Sequence, residues 1–293
     1  MMNPSLRNRY DEYNLIIPFS YWERMKHSVS SKNCPSFLFR RKMESVKGGD
    51  AKMRHALITA GTKGLGERVT RQLLEEGWRV TAFHRSEPEF THPNLMTIQA
   101  DVTNQEELER ATQQAINEQG RIDALILNAG PYIFERKALV DYTDQEWNEV
   151  ITGNLTASFW LLRQVLPVMR KQTYGRIITY GFPESATAPG WVCRAAFAAA
   201  KSGMVSLTKS VALEEAEHGI TVNMVNPGNI VGDNKTKLIS EAEQDEATPV
   251  GRTGVGEDIA RAISFLLAEE SSMITGAILD VTGGVNVVHQ SRK

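Results

Sequence analysis

From residue 56 onward, short apolar runs alternate with longer stretches in which apolar residues recur at helical spacing. The short runs have the length and composition of buried strands, and the longer stretches are typical of amphipathic helices. Strands are therefore predicted at 56–58, 79–83, 95–100, 123–127, 176–180, 221–225 and 277–281. Helices are predicted near 67–76, 105–119, 144–171, 197–218 and 256–268.

Strands that alternate with helices of this length predict an α/β protein in which helices cover both faces of a parallel sheet. Right-handed crossovers then give a Rossmann-type, doubly wound, seven-stranded sheet, with ligands at the carboxyl ends of the strands. No repeat, low-complexity tract or proline-rich linker divides residues 53–293. We therefore expect one domain over this range.

The first predicted strand leads through a glycine-rich turn into the first predicted helix. This order brings backbone N–H groups and a helix N-terminus to a phosphate. Gly61 can make the sharp turn, Gly64 leaves space for a pyrophosphate, and Gly66 lets the helix approach the strand. By itself the pattern is a weak signal, because an ordinary tight loop between a strand and a helix has the same glycines.

The composition narrows the class of protein. The 293 residues are 41% hydrophobic and 23% charged, which is ordinary for a globular protein with a substantial core. A formal net charge of −2 argues against a nucleic acid or a membrane surface as the main partner. Cys34 and Cys193 lack metal-ligand spacing, so no metal site is predicted and a reduced, cytoplasmic location is expected.

Residues 1–52 differ from the rest of the chain. They carry ten basic and five acidic residues, whereas residues 53–293 have a formal charge of −7. A mitochondrial-type transit peptide fits the basic balance, but Asp11, Glu12 and Glu23 count against it. The alternative is a translated leader, because a purine-rich ribosome-binding sequence could encode the residues shortly before Met53. We expect residues 1–52 to be poorly ordered and Met53 to be the true start.

Several motifs in order resemble the short-chain dehydrogenase/reductase family, and within it the 3-oxoacyl-acyl-carrier-protein-reductase-like branch. Residues 59–66 resemble its T-G-x-x-x-G-x-G loop, with Ala60 in place of the first glycine. The other matching residues are Asp101-Val102, Asn128-Ala129-Gly130, Asn154, Lys201, Pro227-Gly228, Thr275-Gly276 and Val281-Thr282-Gly283-Gly284. The resemblance covers residues 53–288 and implies an oxidoreductase with a nicotinamide cofactor.

The glycine turn and the resemblance together give the expected cofactor contacts. They are Gly61, Thr62, Lys63, Gly64, Leu65, Gly66, Arg85, Asp101, Val102, Asn128, Ala129, Gly130, Lys201, Pro227, Gly228 and Ile230. An acid at the end of the second strand would select NAD, but Arg85 stands there and could pair with a 2′-phosphate. Lys63 adds a second cation, so NADP(H) is expected in preference to NAD(H). The alternative, that both are solvated surface charges, stays open.

The resemblance also implies the catalytic groups: a tyrosine as proton donor, a lysine four residues later, a serine at the carbonyl oxygen and an asparagine on the preceding helix. Lys201 and Asn154 are present. However, Phe197 occupies the tyrosine position and Phe182 the serine position, and the segment between them is two residues longer than usual. The family mechanism therefore cannot be transferred intact.

Three explanations stay open. In the first, a displaced tyrosine supplies the proton, as in enoyl reductases of this superfamily. Tyr180 is the first candidate, since strand alternation places it on the same side as position 182. Tyr132 is the second candidate. Alternatively, the protein binds NADP(H) with little chemistry, as a sensor or scaffold. In the third explanation water is the acid, which typically slows the reaction by about 10²–10⁴.

Other features concern the substrate and the assembly. Phe182, Trp191 and Phe197 predict a bulky apolar pocket, suited to an acyl, ring or isoprenoid carbonyl. By resemblance, residues 229–248 form a lid over the substrate.

The predicted helices at 144–171 and 197–218 are apolar on more than one face, which indicates a subunit interface. The family usually pairs subunits through these helices, so a homodimer or homotetramer is expected.

Overall fold

The computed structural model describes residues 53–131 and 135–285. The strands are β1 (His55–Ile58), β2 (Arg79–His84), β3 (Leu95–Gln99), β4 (Ala124–Leu127), β5 (Gly175–Tyr180), β6 (Ile220–Pro227) and β7 (Ile278–Val281). All are parallel to their neighbours, in the order β3-β2-β1-β4-β5-β6-β7. The Rossmann-type fold is confirmed, and each strand lies within two residues of its predicted bounds. The prediction for residues 1–52 lies outside the described residues.

The helices between the strands are α1 (Gly64–Glu75), α2 (Gln105–Gln119), α3 (Asp144–Ile151), α4 (Ala157–Gln172), α5 (Ala195–Glu215) and α6 (Gly256–Leu267). The predicted helix at 144–171 is in fact α3 and α4 joined by a π-helical turn, Thr152–Thr156. A π turn inside a helix often marks a functional site. None of the described helices is long and apolar enough to span a membrane.

Successive residues of the central strands point to opposite faces of the sheet, which gives two separate apolar layers. On one face, Leu57, Leu125 and Ile177 pack in a cluster with residues of α2, α4 and α5. On the other face, Ile58 and Ile126 pack in a cluster with residues of α1 and α6. Every residue of β1, β4 and β5 is buried, as expected for strands covered on both sides. The face of the sheet to which a side chain points therefore decides which helices it can contact.

The starts of the helices are stabilised in different ways. The Asn104 side chain accepts a hydrogen bond from the Glu107 N–H at the start of α2, and Thr143 forms a capping box with Glu146 at the start of α3. At the start of α1, by contrast, Lys63 offers no side-chain cap. The first N–H groups of α1 are therefore left for another acceptor.

A polar network fixes the amino ends of the strands, which lie opposite the carboxyl ends where the ligand is expected. Fully buried Asp123 accepts hydrogen bonds from the His55 N–H and from the Arg121 guanidinium. The His55 ring lies between the Arg121 carbonyl and the Thr81 hydroxyl, and burial lowers its pKa to about 4. This neutral imidazole joins β1 to β2 and holds the edge opposite the predicted site.

Candidate cofactor and active site

The glycine turn folds tightly between β1, β2 and α1. The Gly61 N–H donates to the Phe83 carbonyl, and a Cβ at Gly61 would lie 2.8 Å from the Ala82 Cβ. A Cβ at Gly66 would lie 2.2 Å from the Ala60 carbonyl oxygen, so only glycine lets α1 approach β1 this closely. Ala60 itself adopts a φ of +50°, a left-handed conformation that a glycine would take with less strain.

An open cleft of about 210 Å³ lies beside the start of α1. It brings together seven of the predicted cofactor residues: Thr62, Lys63, Arg85, Asp101, Val102, Ala129 and Gly130. It is also lined by Ala60 of the glycine turn and by residues that were not among the predicted contacts, namely Phe83, His84, Ser86, Ala100, Thr103 and Pro131. Each of these six lies in the last two residues of β2 or within four residues after β2, β3 or β4, so proximity to a strand end was the signal that could have identified them.

Arg85 lies at the rim of the cleft, with 71% of its side chain exposed. One of its terminal nitrogens is 3.9 Å from the Asp101 Oδ2, which is a long contact at an exposed site and contributes little energy. Asp101 is better held by Thr103, whose N–H and O–H both donate to Oδ1. Arg85 can therefore turn toward an added phosphate without breaking a strong ion pair.

Asn128 and Ala129 support the glycine turn from the neighbouring strand end. The Asn128 amide donates to the Thr59 carbonyl at 3.1 Å and the Ala60 carbonyl at 3.2 Å. The Ala129 N–H donates to the Thr59 hydroxyl at 2.9 Å. Asn128 thus holds the turn in shape through the carbonyl of buried Thr59. The sequence predicted no role for Thr59.

Asn154 lies in the π turn between α3 and α4. Its side-chain amide donates to the Val150 carbonyl at 3.0 Å and to the Pro131 carbonyl at 2.8 Å, so it joins the helix to the segment after β4. Its Oδ1 is buried and has no hydrogen-bond partner among the described residues. A Cβ at Gly130 would lie 2.2 Å from this oxygen. The residue therefore has a structural role and also an acceptor without a partner, which needs a donor.

Lys201 lies on α5 with only 5% of its surface exposed. Its Nζ is 5.6 Å from the centroid of the Phe197 ring, one turn earlier on the same helix. Within the described ranges, no hydrogen bond or ion pair to Lys201 is found. Burial lowers the pKa of this lysine to about 8. An ammonium in this position destabilises the protein unless a polar group is added beside it.

Phe182, Trp191 and Phe197 form an aromatic cluster after the end of β5, and Ala198 packs against it. The Phe182 ring lies 5.2 Å from that of Trp191 and 6.2 Å from that of Phe197. The resemblance expects hydroxyl groups at positions 182 and 197, so apolar rings fill that space instead. The connecting segment is strained, because three of its non-glycine residues have positive φ angles: Glu184, Ala188 and Cys193.

The structure does not place Tyr180 where a substitute proton donor is needed. Its ring belongs to the apolar layer of α1 and α6, whereas Phe182 packs with Ala198 of α5. The inference from alternation is wrong, because β5 ends at Tyr180 and the period of two does not continue to position 182. The Tyr180 hydroxyl is buried, residues 53–131 and 135–285 offer it no hydrogen-bond partner, and burial raises its pKa. Tyr132, the second candidate, lies outside the described residues.

The remaining predicted contacts lie at the end of β6. The Gly228 N–H donates to the Val281 carbonyl at 2.9 Å, and buried Ile230 packs in the layer of α1 and α6. Gly228 and Ile230 border a second cleft of about 150 Å³, which is lined also by Thr248 and Gly283. The structure therefore does not bring these residues into the cleft of Arg85.

Comparisons with known proteins identify the family to which this fold belongs. The family model described as enoyl-(acyl carrier protein) reductase matches residues 59–286. YtkK of Bacillus subtilis (strain 168), whose name describes it as an oxidoreductase, is 53% identical over 253 residues, which cover 82% of this chain and 99% of YtkK. FabG of Escherichia coli (strain K12), a 3-oxoacyl-[acyl-carrier-protein] reductase, is 34% identical over 242 residues, which cover 80% of this chain and 97% of FabG.

Two solved structures are similar as well. A Bacillus thuringiensis protein described as a 3-oxoacyl-reductase is 55% identical, with a TM-score of 0.76 over 81% of this chain and 100% of that one. ElxO, solved with NADP bound, is 27% identical, with a TM-score of 0.70 over 79% of this chain and 98% of that one. Both cover nearly the whole range that the structure describes.

Proposed function

The chain belongs to the short-chain dehydrogenase/reductase family, whose members named above are oxidoreductases, and from this premise we propose that it transfers a hydride between NADP(H) and a carbonyl substrate of the 3-oxoacyl type. FabG supports the substrate class, and the NADP-bound structure of ElxO supports the cofactor. The cytoplasm remains the expected compartment.

The residues of the first cleft fit a dinucleotide. The N–H groups at the start of α1 lack a side-chain cap, and Gly61, Gly64 and Gly66 leave no Cβ in the turn. When bound, the cofactor would supply or accept the hydride. In this proposal Lys63 and Arg85 hold the 2′-phosphate of NADP(H), for which Arg85 needs to give up only a 3.9 Å contact with Asp101.

The observation that carries the proposal is the buried ammonium of Lys201. Its position on α5, without a hydrogen-bond partner among the residues described, requires an added polar group, and a ribose diol would be suitable. In this role Lys201 donates to the ribose hydroxyls and orients the nicotinamide end of the cofactor. The buried Lys201 and the open cleft at Arg85 would then contact opposite ends of one dinucleotide.

The proton of the reduction needs a source other than position 197. Since Tyr180 packs on the far face of the sheet, we propose water as the donor, held through the unpartnered Oδ1 of Asn154. Tyr132 remains the alternative. Because water replaces a positioned acid, we expect turnover to be about 10²–10⁴ times slower than with such an acid.

A second candidate function is an NADP(H)-binding protein with little chemistry, such as a sensor or scaffold. The aromatic cluster favours it, because Phe182 and Phe197 cannot give a proton or hold a carbonyl oxygen. An enoyl-type reductase is a further alternative, which the description of the family model supports. These functions differ in turnover, whereas all three require nucleotide binding.

The test combines binding and turnover. We expect calorimetry to show NADPH binding, and we expect Arg85→Gln to weaken it about tenfold while NADH changes little. Arg261→Gln is the matched control, since its side chain is 67% exposed and lies away from the cleft. NADPH oxidation is then followed with 3-oxoacyl and 2-enoyl thioesters. Absence of nucleotide binding would refute the proposal, and tight binding without turnover would favour the sensor or scaffold.

We also propose a homodimer or homotetramer formed through α4 and α5. Phe159 on α4 is 47% exposed and Leu213 on α5 is 80% exposed, so apolar surface remains on both helices after the sheet is covered. Light scattering after size exclusion would measure the assembly. Charged residues at both positions should lower the measured mass, and a wild-type monomer would contradict the proposal.

A further inference from the structure

Lys235 lies over the start of α1 although it belongs to the segment after β6. It ends a short turn, Gly232–Lys235, within residues 229–248, which we call the lid. A Cβ at Gly64 would lie 3.4 Å from the Lys235 Cδ and 3.8 Å from its Cβ. The alkyl chain of this lysine therefore lies across the glycine turn, where the proposed function puts the cofactor phosphates.

The backbone of Lys235 is fixed in this place. A Cβ at Gly256 would lie 1.9 Å from the Lys235 carbonyl oxygen, so the lid backbone packs directly on the start of α6. Beside it, the Lys237 carbonyl accepts from the Glu257 N–H. The start of α6 thus holds the lid against the start of α1, and the position of Lys235 follows from packing.

The charges around Lys235 are unbalanced. In the lid, Lys237 is paired with Glu243 at 2.8 Å, whereas no described residue forms an ion pair or hydrogen bond with Lys235. Glu67, the acid in the first turn of α1, is engaged by Arg71. Lys63 at the N-cap is also without an acidic partner in the described ranges. Two lysines and the positive end of a helix dipole therefore adjoin one glycine turn.

We propose that Lys235 binds the diphosphate of the dinucleotide and fastens the lid over the glycine turn. This inference rests on the proposed function. The two negative charges of a diphosphate would balance Lys235 and the helix N-terminus, while Lys63 remains with the 2′-phosphate, and the ammonium of Lys235 is within reach because the lid is packed on α6. Bound dinucleotide would then add a second attachment to a lid that packing already places over the glycine turn, and opening of the lid would become rarer.

The experiment measures nucleotide affinity by calorimetry in the full chain. Lys235→Gln should weaken both NADPH and NADH about tenfold, and Lys235→Arg should restore most of the affinity, since both dinucleotides carry the diphosphate. Lys237→Gln is the matched control from the same lid and should change affinity less than twofold. Adenosine 2′-monophosphate, which lacks the diphosphate, should bind equally to wild type and Lys235→Gln.

A second measurement follows amide hydrogen exchange in the lid. NADPH should protect residues 229–248 in the wild type and in Lys237→Gln, and should protect them much less in Lys235→Gln. Unchanged NADPH affinity in Lys235→Gln, or an equal loss for adenosine 2′-monophosphate, would overturn the inference alone. A wild type that binds no dinucleotide would instead overturn the proposed function on which it rests.

Discussion

At the carboxyl edge of the sheet, the nucleotide end and the catalytic end are built from different kinds of groups. At the nucleotide end, backbone groups form the site: the turn around Gly61 and Gly66 is shaped by missing Cβ atoms and by carbonyls that Asn128 supports. At the catalytic end, side chains form the site, and Lys201 lies beside the rings of Phe182, Trp191 and Phe197. The first end has the glycines that the family resemblance implies, whereas the second has phenylalanine rings where the resemblance implies hydroxyl groups.

The difference shows that the two halves of such a site can change independently. The shape of the nucleotide end depends on packing between β1, β2 and α1, so it depends on the glycines that this packing requires more than on functional side chains. A catalytic site depends on a few functional groups, and their replacement by apolar rings leaves the fold intact. The buried ammonium of Lys201 survives among these rings, although its burial destabilises the protein. The contact between Lys201 and the cofactor ribose that we propose would offset this cost.

The largest expected effect comes from restoring a proton donor. Phe197→Tyr would place a hydroxyl one helical turn from Lys201, whose charge favours the ionised phenol. We expect the rate of 3-oxoacyl reduction with NADPH to rise by about 10²–10⁴, the usual contribution of a positioned acid. Phe265→Tyr, at an exposed position on α6, is the control. A rate equal to wild type would mean that the proton comes by a route independent of position 197.

Removing the buried charge should raise stability while it abolishes function. Lys201→Met keeps the length of the chain without the ammonium. The native pKa of about 8 lies below the ordinary lysine value of 10.5, so at pH 7 the variant should gain about 3 kcal/mol of unfolding free energy. The gain should shrink as pH rises from 8 to 10.5, where only the unfolded state keeps the proton.

Denaturant unfolding at several pH values measures this gain, with exposed Lys209→Met as the control on the same helix. NADPH turnover of Lys201→Met should fall below detection. A variant less stable than wild type at pH 7 would show that Lys201 is stabilised by its surroundings, contrary to the interpretation of its burial.

The nucleotide end should be sensitive to a single methyl group. Gly66→Ala would place a Cβ 2.2 Å from the Ala60 carbonyl oxygen and force α1 away from the turn. A displacement of about 1 Å can reduce the effect of a positioned group about 10²-fold, so we expect NADPH affinity to fall by that factor. Gly190→Ala has no atom within 4 Å of the new Cβ and should bind normally. Normal binding by Gly66→Ala, with an intact circular dichroism spectrum, would contradict the backbone description of this site.

The smallest effect concerns Tyr180. Tyr180→Phe removes a buried hydroxyl that has no partner in the part of the chain that the structure describes, so it should raise the unfolding free energy by about 1 kcal/mol and change turnover less than twofold. Thermal unfolding and NADPH oxidation measure the two quantities, and Tyr142→Phe serves as a control. A large loss of turnover would restore Tyr180 as the proton donor, in spite of its place in the layer of α1 and α6.

The sequence by itself determined the order of strands and helices and the position of the glycine turn. An apolar run such as 124–127 is typical of a strand in a sheet that is covered on both faces. At position 66, only glycine lets the helix approach the strand so closely. The missing hydroxyls at positions 182 and 197 were equally visible. These features are local or periodic, so they can be read without knowing which distant residues meet.

Only the tertiary structure decided which side chains come together across the chain. It placed Tyr180 on the far face of the sheet, because β5 ends there and periodicity gives no direction beyond a strand end. It joined Thr59 to Ala129, and it laid Lys235 across Gly64, although 171 positions separate them. Such contacts depend on the packing of α1 against α6 and the lid, and no short stretch of sequence encodes that packing.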